Sequence, residues 1–173
     1  MDTDWLKEFR SRMDDLGSGT NNDRRPISIK IRAETGCFHR EHSPEAYRLI
    51  DDYAATLHLP RSDFKIEDHE SGPEILVWIK DTLGFAKTLI EFVMTIVKAR
   101  SEGIKKGDRP TGPLEIIVRG FYKDGEYFEE KIVRIPPDHP LAEKIIEQAL
   151  QKQLEAHRPK KKPSKRKKNP PPH

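Results

Sequence analysis

The chain has 173 residues, 34% hydrophobic and 35% charged, with 32 basic against 29 acidic side chains and a formal charge of +3. An apolar share this low limits it to one core of ordinary single-domain size, and a lone cysteine, Cys37, excludes an intrachain disulfide. Asp2-Thr3-Asp4 stands where a secretory signal would need a basic start, so none is read there.

Residues 3–15 alternate charge with apolar bulk, and a helix would gather Trp5, Leu6, Phe9 and Met13 on one face. Gly17-Ser18-Gly19-Thr20-Asn21-Asn22-Asp23 follows with the composition of a flexible linker, so the first helix is expected to dock loosely or to bind elsewhere. From Pro26 the period becomes two. Ile27, Ile29, Ile31 and Ala33 alternate with Ser28, Lys30, Arg32 and Glu34, as in a half-buried strand. Ser43-Pro44-Glu45-Ala46 starts a second helix, with Ser43 as N-cap and Pro44 at the first helical position. Its buried face is Tyr47, Ile50, Ala54 and Leu57, and Pro60 stops it. Phe64-Lys65-Ile66 reads as a short strand.

Gly72-Pro73 is expected to open a long helix over residues 74–102, stopped by Gly103, with Ile75, Trp78, Ile79, Leu83, Ala86, Ile90, Val93 and Val97 inward. Lys80, Lys87, Glu91 and Lys98 form one charged stripe along it, which marks an amphipathic helix and not a membrane span. Asp124-Gly125 signals a two-residue hairpin turn. That turn would pair Glu115 with Arg134, Arg119 with Glu130, Ile117 with Ile132 and Phe121 with Phe128, and on the other face Leu114 with Ile135 and Ile116 with Val133. Asp138-His139-Pro140 begins the last helix, whose face is Leu141, Ile145, Ile146, Ala149 and Leu150.

The fold class is therefore α+β. A small four-stranded sheet with a hairpin is packed by a long helix and flanking helices. The expected units are an N-terminal helix and linker (1–25), an α+β domain (26–156) and a basic tail (157–173).

That tail holds Arg158, Lys160, Lys161, Lys162, Lys165, Arg166, Lys167 and Lys168 and no acid. Residues 1–156 then retain 24 basic and 29 acidic side chains, so the body is near −5 and the tail +8. Like charge spaced by prolines cannot bury apolar surface; the tail should be disordered alone and drawn to polyanions. Lys160 to Lys168 also has the composition of a nuclear import signal.

Other clusters read as bland. Cys37, His39 and His42 offer a thiol and two imidazoles, but a structural zinc site needs four ligands and only His58 or His69 is left to complete it; no metal is expected. Asp68, His69 and Glu70 are consecutive and point apart in an extended segment. No phosphate loop, nucleophile elbow or zinc-protease helix is present, so neither catalysis nor a cofactor is expected. Phe121, Tyr122, Tyr127 and Phe128 crowd the hairpin tip among Glu126, Glu129 and Glu130, which suits a protein partner better than RNA.

The order of Ile27-Ser28-Ile29-Lys30-Ile31, Phe64-Lys65-Ile66, the apolar run from Glu74 to Ile79, Ile116-Ile117-Val118, Lys123-Asp124-Gly125-Glu126-Tyr127 and a helix after Pro140 resembles the effector-associated constant component domains of bacterial conflict systems. The resemblance implies a small α+β adaptor that couples effector modules and is not an enzyme. Ser71-Gly72-Pro73 matches the family's Gly-rich opening of that helix only loosely, the basic tail is foreign to it, and no functional residue carries over. The expected function is a non-enzymatic, cytoplasmic protein-interaction module with a polyanion-binding tail. The alternative is a nucleic-acid-associated protein, part of a ribonucleoprotein assembly and nuclear in a eukaryote.

Overall fold

The computed structural model describes residues 3–16, 26–58, 63–78, 83–136 and 143–157. Nine elements follow in chain order: α1 (Thr3–Asp15), β1 (Ile27–Ala33), α2 (Pro44–Ala55), β2 (Phe64–Glu67), β3 (Glu74–Val77), α3 (Leu83–Lys105), β4 (Leu114–Phe121), β5 (Tyr127–Ile135) and α4 (Glu143–Ala156). The fold is α+β, and the sheet is antiparallel throughout with strand order β2-β3-β1-β4-β5.

The sheet has five strands where the sequence pattern predicts four. Glu74-Ile75-Leu76-Val77, which that pattern assigns to the long helix, is β3, hydrogen-bonded to β1 on one side and β2 on the other. All four of its residues are buried. A strand covered on both faces loses its alternation, and a short apolar run of this kind cannot be told from a buried helical turn by period alone.

The long helix accordingly starts at Leu83 and runs through Gly103 to Lys105. Gly107, at φ +110°, takes the left-handed position after it. Gly103 instead makes room for close packing, because a Cβ there would collide with the Asp108 carboxylate and with Ala46 at the start of α2. Along α3, Phe85, Leu89, Ile90, Phe92, Val93 and Ile96 are buried, while Lys87, Glu91 and Lys98 stay exposed as the charged stripe requires. Ile79 lies outside the described residues. Among the described residues no helix is long and apolar enough to cross a membrane.

The hairpin corrects the turn. Gly125 N–H donates to the Tyr122 carbonyl and Tyr122 N–H to that of Glu126, closing a three-residue loop of Lys123, Asp124 and Gly125 with Gly125 at φ +88°. Near this loop the register is one residue off the expected one: Phe121 faces Tyr127, Arg119 faces Glu129 and Ile117 faces Lys131. An irregularity between Ile116 and Ile117 leaves Ile132 as the extra residue, and beyond it Leu114–Ile135, Glu115–Arg134 and Ile116–Val133 pair as expected.

The main core lies between one sheet face and α2, α3 and α4, joining Ile29, Ile31, Ile75, Val77, Ile116 and Val118 to Tyr47, Ile50, Phe92, Ile146 and Leu150. In α4 the inward face is Ile146, Leu150, Gln153 and Leu154, whereas Ile145, expected inward, is 61% exposed. Residues 137–142, where the last helix is expected to begin, lie outside the described residues. Helix α1 packs on the opposite sheet face, through Phe9, Met13 and Leu16 against Leu76 and Phe121.

Ser43 precedes α2 as expected, but its side chain makes no capping bond. Asp108, beyond the end of α3, supplies the cap: its carboxylate accepts from Glu45 N–H at 3.0 Å and Ala46 N–H at 2.9 Å. An anion at a helix N-terminus is favourable and satisfies two donors that lack intrahelical partners. Asp108→Ala should therefore cost about 1–3 kcal/mol by urea denaturation followed by circular dichroism. Ser43→Ala should cost less. Equal losses would show that Asp108 contributes no more to the cap than Ser43.

Candidate interaction face beneath the N-terminal helix

The second face of β1 carries Ser28, Lys30 and Arg32, which the strand's alternation assigns to solvent. Ser28 and Lys30 are buried, because β1 is the middle strand and α1 lies over this face. Their lateral neighbours follow from the register. Ser28 stands between Leu76 and Arg119, Lys30 between Glu74 and Ile117, and Arg32 beside Glu115.

Glu74 is the centre of this face and its side chain is wholly buried. Its carboxylate accepts from Arg119 at 2.6 Å and from Arg12 of α1 at 3.3 Å, with Lys30 Nζ at 4.0 Å. Arg12 also donates to Glu67 at 3.1 Å, so α1 is bridged to both β2 and β3. Burial alone would raise the Glu74 carboxyl, but Arg119, Arg12 and Lys30 together hold it below the usual range. For Lys30 burial wins over Glu74, and its ammonium is brought down to about 8. Lys30 Nζ donates to the Gly72 carbonyl at 3.1 Å. Burial and the Lys30 charge also lower His69, so its contacts with Glu74 at 3.6 Å and Glu67 at 3.8 Å involve a neutral imidazole at pH 7. A second, smaller network crosses three strands: Glu115 accepts from Arg32 and meets Lys131, each at 2.7 Å. Burial opposes that charge, yet the hydrogen bonds from Lys131 and Arg32 hold Glu115 at about 2.

Guanidinium groups and rings interleave beside this network. Arg119 lies 4.8 Å from the Phe9 ring centroid and 5.5 Å from that of Trp5, and Arg10 lies 4.2 Å from that of Phe121. Tyr127 meets Trp5 edge-on at 5.5 Å. The four hairpin rings named from the sequence thus divide between the two sheet faces. Phe121 and Tyr127 join the α1 cluster, while Phe128 packs on the main core and stacks on His157 at 4.6 Å. Tyr122, 50% exposed, leans on Phe128 at 4.8 Å. They form no single ring platform.

Asp68 is drawn away to Arg40, so Asp68, His69 and Glu70 do not converge. Among the described residues no group of three or more His, Cys, Asp or Glu side chains is placed to hold a metal ion. Arg158, Lys160, Lys161, Lys162, Lys165, Arg166, Lys167 and Lys168 lie outside the described residues. On the far side of the molecule a groove of about 480 Å3 runs between α2, α3 and α4, floored by Tyr53, Ala86, Ile90 and Met94.

Sequence reasoning misses Arg12, Lys30, Glu74 and Arg119 as a unit. Their signal is nonetheless present: the apolar stripe of α1 needs a receiving surface, and Arg10 and Arg12 flank that stripe.

Two outcomes test this electrostatic arrangement. Glu74→Ala should cost about 3–5 kcal/mol in urea denaturation, because it strands Arg119 and Arg12 beside a buried face. Lys30 binds its proton less tightly folded than unfolded, so between pH 8 and 10.5 the unfolded chain holds more protons and stability rises with pH. The slope is at most about 1.4 kcal/mol per pH unit. Lys30→Met should flatten that rise, and an unchanged profile would place the titration elsewhere.

No family model matches this chain, and comparison with curated proteins and with solved structures yields no match.

Proposed function

We propose that the protein is a non-enzymatic interaction module, an adaptor whose acidic α+β body engages protein and whose basic C-terminal segment binds a polyanion. The observation that carries this reading is the charge partition: eight cations and no acid in residues 158–173, against 24 basic and 29 acidic residues in 1–156. Charge so divided does not neutralise itself locally, and it favours a polyanionic surface for one part and a different partner for the other.

Truncation after His157 should leave the thermal midpoint nearly unchanged, since the Phe128 stack and the core are retained. In filter binding to RNA and to duplex DNA across a salt series, log K for the full chain should fall with log salt at about −0.7Z to −0.9Z, with Z near eight at most. Charge-preserving shuffles of residues 158–168 should bind equally, and lysine-to-glutamine replacement should abolish binding. Pull-down with and without nuclease separates a protein adaptor from a nucleic-acid-associated protein. Equal binding by full-length and truncated proteins would overturn the tether.

A further inference from the structure

We infer that the sheet face under α1 is a receptor for an amphipathic helix of a protein partner, and that α1 holds it in cis as a displaceable stand-in. This deepens the adaptor reading and rests on it. The seat is built for a particular side-chain pattern: Phe9 enters between Phe121, Tyr127 and Arg119, Met13 is buried one turn on, and Arg12 reaches Glu67 and Glu74. An aromatic residue, an arginine and an aliphatic or thioether residue at i, i+3 and i+4 lie on one helix face, so a partner helix bearing that pattern meets the same contacts. The two glutamates select the cation.

The fit of α1 itself is imperfect, and the imperfection is concentrated here. Arg12 Nε, Ser28 Oγ, Glu67 Oε1, His69 Nε2 and Arg119 Nε are buried without a hydrogen-bond partner in the protein, and all five belong to this seat. A buried polar atom without a partner costs the desolvation of that group. On the side of α2 and α3 the same shortfall is, among the described residues, confined to His42 Nδ1, Arg100 Nε and Thr111 Oγ1. Helix α1 is thus held by apolar and cation–π contact and by the Arg12 pairs to Glu67 and Glu74, over a polar floor it only partly satisfies, and a helix with better-placed polar groups displaces it.

The test uses the full chain and a fluorescein-labelled peptide of residues 1–16. Hydrogen exchange should show the α1 amides opening at least about tenfold faster than those of α3, by local release and not global unfolding. The peptide should bind the full-length protein. Phe9→Ala or Arg12→Glu in the peptide should weaken binding at least about tenfold, whereas Phe9→Ala in the protein should strengthen it by loosening the competitor in cis. Circular dichroism confirms that the Phe9→Ala protein is folded, and a chain that cannot fold without Phe9 overturns the proposal. So do α1 amides that exchange only with α3, a peptide that fails to bind both proteins, or equal binding by the altered peptides. Failure of the peptide, with partner capture by the full chain intact, sinks the seat and leaves the adaptor reading standing.

Discussion

The arrangement of this molecule depends on the placing of Glu74, a carboxylate with no exposed surface, in the second strand from the edge. A buried carboxylate is costly unless cations and hydrogen bonds surround it. Here they come from three directions: Lys30 from the middle strand, Arg119 from the strand beyond, and Arg12 from the N-terminal helix. One group therefore ties together parts of the chain distant in sequence. Its pair with Arg12, which also reaches Glu67, ties α1 to the sheet; such buried ion pairs are a weak argument for net stability.

That constraint divides the sheet into two unlike surfaces. One is a continuous apolar layer under α2, α3 and α4, with aromatic rings such as Tyr53 and Phe92 stacked at 5.6 Å. The other alternates charge with apolar residues and, among the described residues, has one helix, α1, over it. Asp108 and Gly103 organise the first side in a corresponding way. The absence of a side chain at Gly103 lets the start of α2 approach α3, and the Asp108 carboxylate closes the contact.

The parts legible in the sequence are those whose signal is local. β1, α2 and the paired base of the hairpin follow from period, capping residues and cross-strand matching at Leu114, Glu115 and Ile116. The sequence misleads where tertiary covering erases the period. Glu74 to Val77 lacks alternation because both faces are covered. Lys30 and Ser28 look like solvent positions because nothing local reveals that α1 lies above them. The Asp-Gly pair signals the turn but not its length, since Gly125 serves a three-residue loop as well as a two-residue one. The candidate face is hinted at only by the apolar stripe of α1, because its members come from α1, β1, β3 and β4 and only the assembled sheet makes them neighbours.

The extra residue at Ile132 has a consequence for how these molecules behave in company. β5 is an outer strand of nine residues, long enough to template pairing with a neighbouring chain. The irregularity opposite Ile116 and Ile117 breaks its line of free amides and carbonyls, and Glu129, Glu130 and Lys131 stand exposed beside it. The opposite margin, β2, offers only four residues. Both margins are thereby poor templates for sheet-to-sheet growth between neighbouring chains.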